Sequence, residues 1–136
     1  MDKLATLYRA GQFYAHASHN FTKGATFFQD HVFLGDLYGT YEGAYDGLVE
    51  RMIGTGESFS VQTILTNAAA LANKYADPSA FSPAVIFGVL LDMEKQFRAE
   101  IDAIYDSAST GTQNMLAGLA DESEMRSYKI QQRLKA

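Results

Sequence analysis

Only two prolines, Pro78 and Pro83, interrupt the 136 residues of this chain, and they stand close together. The proline ring lacks an N–H and clashes with the preceding turn, so it is the residue a helix interior tolerates least. Almost everything outside that short stretch is therefore open to helix. Apolar residues recur at helical spacing through most of it, which predicts an all-α chain forming a single domain over residues 1–136.

Four long helices and one short one are expected. The first covers about residues 3–21, with Leu4, Leu7, Tyr8, Phe13 and Tyr14 as its apolar residues and Lys23-Gly24 as its stop. The second begins at Thr26, which with Gln29 has the spacing of a capping box, and runs to about Ile53, ending at Gly54. At 1.5 Å per residue it is about 40 Å long. The connection over 54–82 is too long to be bare loop. Its alanine-rich stretch, about 61–74, predicts the short helix, and Ala76-Asp77-Pro78-Ser79 stops it. The third long helix has Ser82 as N-cap and Pro83 at its first position. It carries Val85, Ile86, Val89, Leu90, Met93, Phe97, Ile101 and Ile104 and is broken by Gly111. The fourth covers about 112–134, through Met115, Leu116, Leu119, Met125, Tyr128 and Ile130. Two helix hairpins joined by one long crossover resemble the ferritin-like four-helix bundle, here with a short extra helix between helices two and three. An unrelated four-helix bundle has the same helix count.

Composition removes several function classes. Cysteine is absent, which excludes zinc fingers, iron–sulfur clusters and cysteine nucleophiles. An apolar fraction of 47% argues for a packed globular fold. No apolar run approaches the roughly 18 residues of a membrane span. The opening MDKLATLYRAG has neither the apolar core nor the cleavage site of a signal peptide, so a cytoplasmic location is expected. Eleven basic against sixteen acidic residues leave a net charge of −5, which disfavours a main task of holding nucleic acid.

The chemistry-bearing residues are few. There are three histidines, His16, His19 and His31. His19 and His31 lie at equal distances from the turn between the first two helices, so an antiparallel hairpin sets them side by side. Histidines beside a helix turn are commonly core or cap residues, and alone they would say little. Farther along the second helix, Asp46 and Glu50 are spaced i, i+4 and share one face, continuing a stripe through Tyr38 and Glu42. A lone pair of this kind is commonly solvated surface. His31 and Asp46 are roughly 22 Å apart along one helix and cannot hold one metal within one chain. They meet only if two copies of the helix pack antiparallel about a two-fold axis near Gly39. Gly35, Gly39, Gly43 and Gly47 form an unbroken stripe there. Mid-helix glycine costs about 1 kcal/mol relative to alanine, so the four together cost about 4 kcal/mol. Close approach of another helix offsets such a cost. Glycine spacing does not say whether that helix belongs to the same chain or to a second copy.

The order His-x11-His-x14-Asp-x3-Glu, read at His19, His31, Asp46 and Glu50, resembles the signature of the Dps family, the miniature ferritins named as DNA-binding proteins from starved cells. The neighbouring His19-Asn20-Phe21, Phe27-Phe28-x-x-His31, Asp46-x-x-x-Glu50-Arg51 and Met125-Arg126-Ser127-Tyr128 agree with it, and so does the short helix in the crossover. The resemblance covers essentially the whole chain. It implies a ferroxidase centre, mono-iron or di-iron, shared between subunits, with His19 and His31 from one and Asp46 and Glu50 from its two-fold mate. Imidazole and carboxylate suit Fe(II), with open positions for an oxidant. It further implies oxidation of Fe(II) by hydrogen peroxide in preference to oxygen, ferric mineral stored in a hollow homo-oligomer of twelve subunits built from two-fold dimers, and no membrane. Twelve subunits at −5 each give −60, a charge that favours cation entry. Asp102, Asp106, Asp121 and Glu122 are the candidates for acidic entry pores.

The chain departs from the family pattern in places. Asn20 stands where the family usually has tryptophan, and the chain has no tryptophan. Any shielding role of that ring would pass to a tyrosine such as Tyr45 or Tyr38. The first helix is expected to start almost at once, so the family's basic N-terminal tail for DNA is expected to be missing. Arg126, Lys129, Arg133 and Lys135 form a modest basic face instead, and DNA binding through it is not favoured. The glycine stripe is also denser than the family leads one to expect. His16 is an accessory ligand, an outer partner or an ordinary face residue. An intra-chain di-iron bundle wants Glu-x-x-His, but Phe13, His16 and Phe28 occupy the glutamate positions. The alternative function is a Dps-like cage with weak or lost ferroxidase activity, serving as a structural or DNA-protecting protein.

Overall fold

The structure, a computed structural model, describes residues 1–135. Among them run α1 (Asp2–Asn20), α2 (Phe27–Gly54), α3 (Val61–Ala72), α4 (Pro83–Tyr105) and α5 (Thr110–Leu134), with a 3₁₀ turn at Pro78–Ala80 and no strand. Hairpins α1–α2 and α4–α5 pack as a four-helix bundle, and α3 in the crossover lies along α1. This is the all-α, ferritin-like arrangement with a short extra helix between the second and third long helices. Among the described residues no helix is long and apolar enough to cross a membrane.

Leu4, Leu34, Leu48, Met52, Ile86, Leu90, Met93 and Ile101 fill the core, all of them almost completely buried. The crossover is fastened rather than loose. Ile64 and Ala68 are the buried side of α3. The Tyr14 hydroxyl donates to the Ala76 carbonyl at 2.8 Å, and the Gln96 amide donates to the Tyr75 hydroxyl at 2.6 Å. Burial raises the Tyr14 phenol to about 12.

Helix ends differ in detail from the sequence expectation. The Thr26–Gln29 capping box does not form. Thr26 has φ −104° and ψ 20°, not the extended backbone of a side-chain cap. Its hydroxyl instead donates to Asp30 at 2.7 Å and accepts from Arg133 at 2.9 Å. Ser82 stands at its expected cap position but makes no side-chain cap bond. Gly111 is not a break: α4 ends at Tyr105, and Ser109 caps α5 by accepting from the Thr112 N–H. Gly111 then falls in the first turn, where helix-breaking tendency matters least.

The larger difference is the inward face of α5. Met125 and Tyr128 are 54% and 55% exposed, while Ser123 and Ser127 are buried. The cause lies on α4, where Glu94 has no exposed surface. A buried carboxylate needs donors on every side. Ser123 donates to it at 2.7 Å, Arg126 at 2.7 and 3.1 Å, and the Tyr41 hydroxyl also donates to it. Burial, and then the neighbouring Glu94, push the Tyr41 phenol well above its ordinary range. Tyr8 enters from α1, stacked on Phe97 at 4.1 Å and edge-on to Tyr41 at 6.0 Å, its buried hydroxyl without a hydrogen-bond partner among the described residues. Each of the four long helices thus sends a polar side chain into the bundle centre. Arg126→Ala would strand this carboxylate. The expected cost is about 3–5 kcal/mol, read as a lower midpoint in denaturant unfolding; an unchanged midpoint would show the pair to be dispensable.

The same accounting dismantles the expected basic face. Arg126 is committed to Glu94, and Arg133 donates twice to Asp30, at 2.9 and 3.0 Å. Burial pushes the Asp30 carboxyl up, but the bonds from Arg133 and Thr26 outweigh that and hold it below the usual carboxylate range. Lys129 and Lys135 remain exposed, and two separated lysines are a weak footprint for duplex DNA.

Candidate metal centre

The α1–α2 hairpin sets His19 and His31 side by side, their rings stacked with centroids 3.8 Å apart. The His19 Nδ1 lies 2.7 Å from the His31 carbonyl oxygen, and the His31 Nδ1 lies 3.1 Å from the His19 carbonyl oxygen. A carbonyl only accepts, so each neutral ring carries its proton on Nδ1. Thr22 reinforces this: its hydroxyl donates to the His19 carbonyl at 2.9 Å and accepts from the His31 Nδ1 at 2.9 Å. Both Nε2 atoms are left with free lone pairs, and no hydrogen bond among the described residues engages either. A metal-ligating histidine is held in just this way, by a bond from its other nitrogen.

Gly35 gives the His19 ring its place. A Cβ there would stand 3.1 Å from the His19 Cε1 and 3.2 Å from its Nδ1. Phe27 stacks on the other side of His31 at 4.8 Å. His16 is exposed and lies flat on Tyr38 at 4.0 Å, its ring centroid 6.4 Å from that of His19. Tyr38 is 5.4 Å from the His19 ring. Of the two tyrosines considered for a shielding role, Tyr38 therefore borders the histidine pair. Tyr45 lies under Arg9 at 4.1 Å, toward the other end of α2.

Asp46 and Glu50 are exposed and take part in no hydrogen bond or salt bridge among the described residues. They stand far along α2 from His31. Within one chain, no group of three or more potential metal ligands comes together among the described residues. The histidines are thus brought together, as are the carboxylates, but the two pairs are not. The glycine stripe divides likewise. Gly35 faces His19, and Gly47 faces Met115 of α5, whereas a Cβ on Gly39 or Gly43 would meet nothing. The open stretch is flanked along α2 by exposed Phe28 and Val32 on one side and exposed Ile53 on the other, at 79%, 61% and 65% exposure. The pairs Phe28 and Ile53, His31 and Glu50, and Gly35 and Asp46 are all centred on the Thr40–Tyr41 peptide. Asp102, Asp106, Asp121 and Glu122 are all exposed, and Glu122 lies 4.0 Å from Arg126.

Sequence reasoning missed Thr22 and the reason for Gly35. A threonine three residues after a histidine at a helix end was the available signal for the first. A glycine one turn after His31 was the signal for the second, but it was absorbed into the stripe.

Residues 2–136 match the family described as ferritin-like domain. Among solved structures, the fold is similar to a crystal structure of a Dps protein from Vibrio cholerae O1, described as a member of a broad superfamily of ferritin-like diiron-carboxylate proteins. The TM-score is 0.66 and the identity 18%, over 98% of this chain and 86% of that one. A comparison with curated proteins gives no match.

Proposed function

The chain belongs to the ferritin-like domain family, and from that premise we propose that it is a miniature ferritin, a ferroxidase that oxidises Fe(II) and stores the ferric product in a hollow homo-oligomer. His19 and His31 of one subunit bind the iron together with Asp46 and Glu50 of the partner subunit. The observation that carries this reading is the cross-bonded histidine pair, which presents two Nε2 lone pairs and is joined by no third ligand-type residue among the described residues of its own chain. The common centre of the α2 pairs supports the rest. Two copies of α2 packed antiparallel about the Thr40–Tyr41 peptide set Glu50 of the partner against His31 and Asp46 of the partner against Gly35, where the His19 ring lies. Phe28 then covers Ile53 of the partner. The donors suit iron: neutral imidazole nitrogens and carboxylate oxygens, with room for an oxidant.

In this reading the protein's own part is positional. Reciprocal Nδ1–carbonyl bonds fix both rings before metal arrives, so little is lost in ordering them. The carboxylates supply the negative charge that favours Fe(III) over Fe(II). Hydrogen peroxide is the proposed oxidant, and twelve subunits the proposed assembly, on the family resemblance.

The test is anaerobic Fe(II) loading, then a hydrogen peroxide pulse followed optically, on protein sized in the same buffer. We expect a multi-subunit particle that oxidises Fe(II) well above background and keeps the ferric product soluble. A well-folded particle with background rates would overturn the ferroxidase reading in favour of a cage without catalysis.

A further inference from the structure

Arg9 projects from α1 beside the carboxylate end of α2. Its guanidinium lies over the Tyr45 ring at 4.1 Å and 5.6 Å from the centroid of Phe13. Its Nε is buried and has no hydrogen-bond partner among the described residues. It makes no salt bridge among the described residues, although it lines one open groove of about 500 Å³ with Glu42 and Asp46. Gly39 and Gly43 leave the groove floor bare. A guanidinium held over an aromatic ring, with an unmatched donor and two carboxylates in the same groove that are unpaired among the described residues, is arranged to receive a carboxylate when the groove is covered.

We propose that Arg9 is a positioning residue for Asp46, donating to the carboxylate oxygen that the metal does not take. The inference rests on the shared-site reading above. Between the two acids, geometry favours Asp46. Helical side chains lean toward their own N-terminus, and α1 runs antiparallel to α2, so Arg9 leans away from Glu42 and toward Asp46. Tyr45, on which it rests, directly precedes Asp46. A ligating carboxylate is commonly held by a second hydrogen bond, and loss of such a partner typically weakens metal binding by about 10–100-fold.

Co(II) reports this without turnover, through its affinity and its visible d–d bands in the assembled protein. Arg9→Gln should weaken Co(II) binding by about 10–100-fold and alter the band shape, with particle size unchanged. Arg9→Lys keeps the charge and the stem on Tyr45 but loses the planar fork, and should fall between. Glu42→Gln should behave as wild type. In an Asp46→Asn background, Arg9→Gln should add little, as coupled residues do. Wild-type affinity and bands in Arg9→Gln would overturn the proposal, as would losses from Arg9→Gln and Asp46→Asn that simply add. If Asp46→Asn itself leaves Co(II) binding intact, the shared-site reading fails first and this inference falls with it. If Asp46→Asn weakens binding and Arg9→Gln does not, only the role of Arg9 fails.

Discussion

Asp46→Ala with Glu50→Ala should give a folded particle that oxidises Fe(II) no faster than background. Both side chains are exposed and make no hydrogen bond or salt bridge among the described residues, so their truncation touches none of the mechanisms by which single changes unfold proteins. All of the expected effect falls on the metal. Removing two of the four proposed ligands should cost more than the roughly 10–100-fold loss that follows from removing one outer partner of a ligand. The measurement is the initial rate after the peroxide pulse, with circular dichroism and sizing on the same sample. Wild-type rates would refute the site. A fall in rate together with loss of the particle would place these residues in assembly rather than in metal binding, so sizing is part of the result.

Gly39→Leu should separate folding from assembly. In the single subunit a Cβ at this position meets nothing, and replacing a mid-helix glycine removes a propensity penalty of about 1 kcal/mol. The subunit should therefore remain as helical as wild type or gain slightly in stability. In the proposed dimer the same side chain enters the closest part of the α2–α2 contact, where packed cores tolerate little added volume. Light scattering should show species smaller than the wild-type particle, down to single chains, and iron oxidation should be lost with them. A full-size, active particle carrying Gly39→Leu would move the two-fold axis away from the open glycines.

Sequence and structure agree where helical periodicity and the short hairpin turn govern. The helices, the crossover and the pairing of His19 with His31 follow from apolar spacing and from a hairpin turn of short length. What could not be read depends on partners distant in sequence. Thr26 looked like a local cap, but Arg133, more than a hundred residues away, competes for its hydroxyl. Met125 and Tyr128 looked like core because they are apolar; Glu94 turns α5 so that serines face inward instead. A lone buried glutamate carries no pattern of its own, and its arginine could be read only as part of a charge run. The glycine stripe left its partner open between the same chain and a second copy, and it divides: its outer members face His19 and Met115, and its middle pair faces open surface.

The separation of the histidine pair from the carboxylates by the length of α2 has a consequence for the life of the chain. A newly made subunit carries two halves of different sites and no whole one, so under the proposed function it is redox-silent. In that proposal competence arrives only on pairing, and pairing also begins the container. Synthesis, folding and dilution can then proceed in the presence of iron and oxidant without any lone chain generating ferric product that it has nowhere to keep.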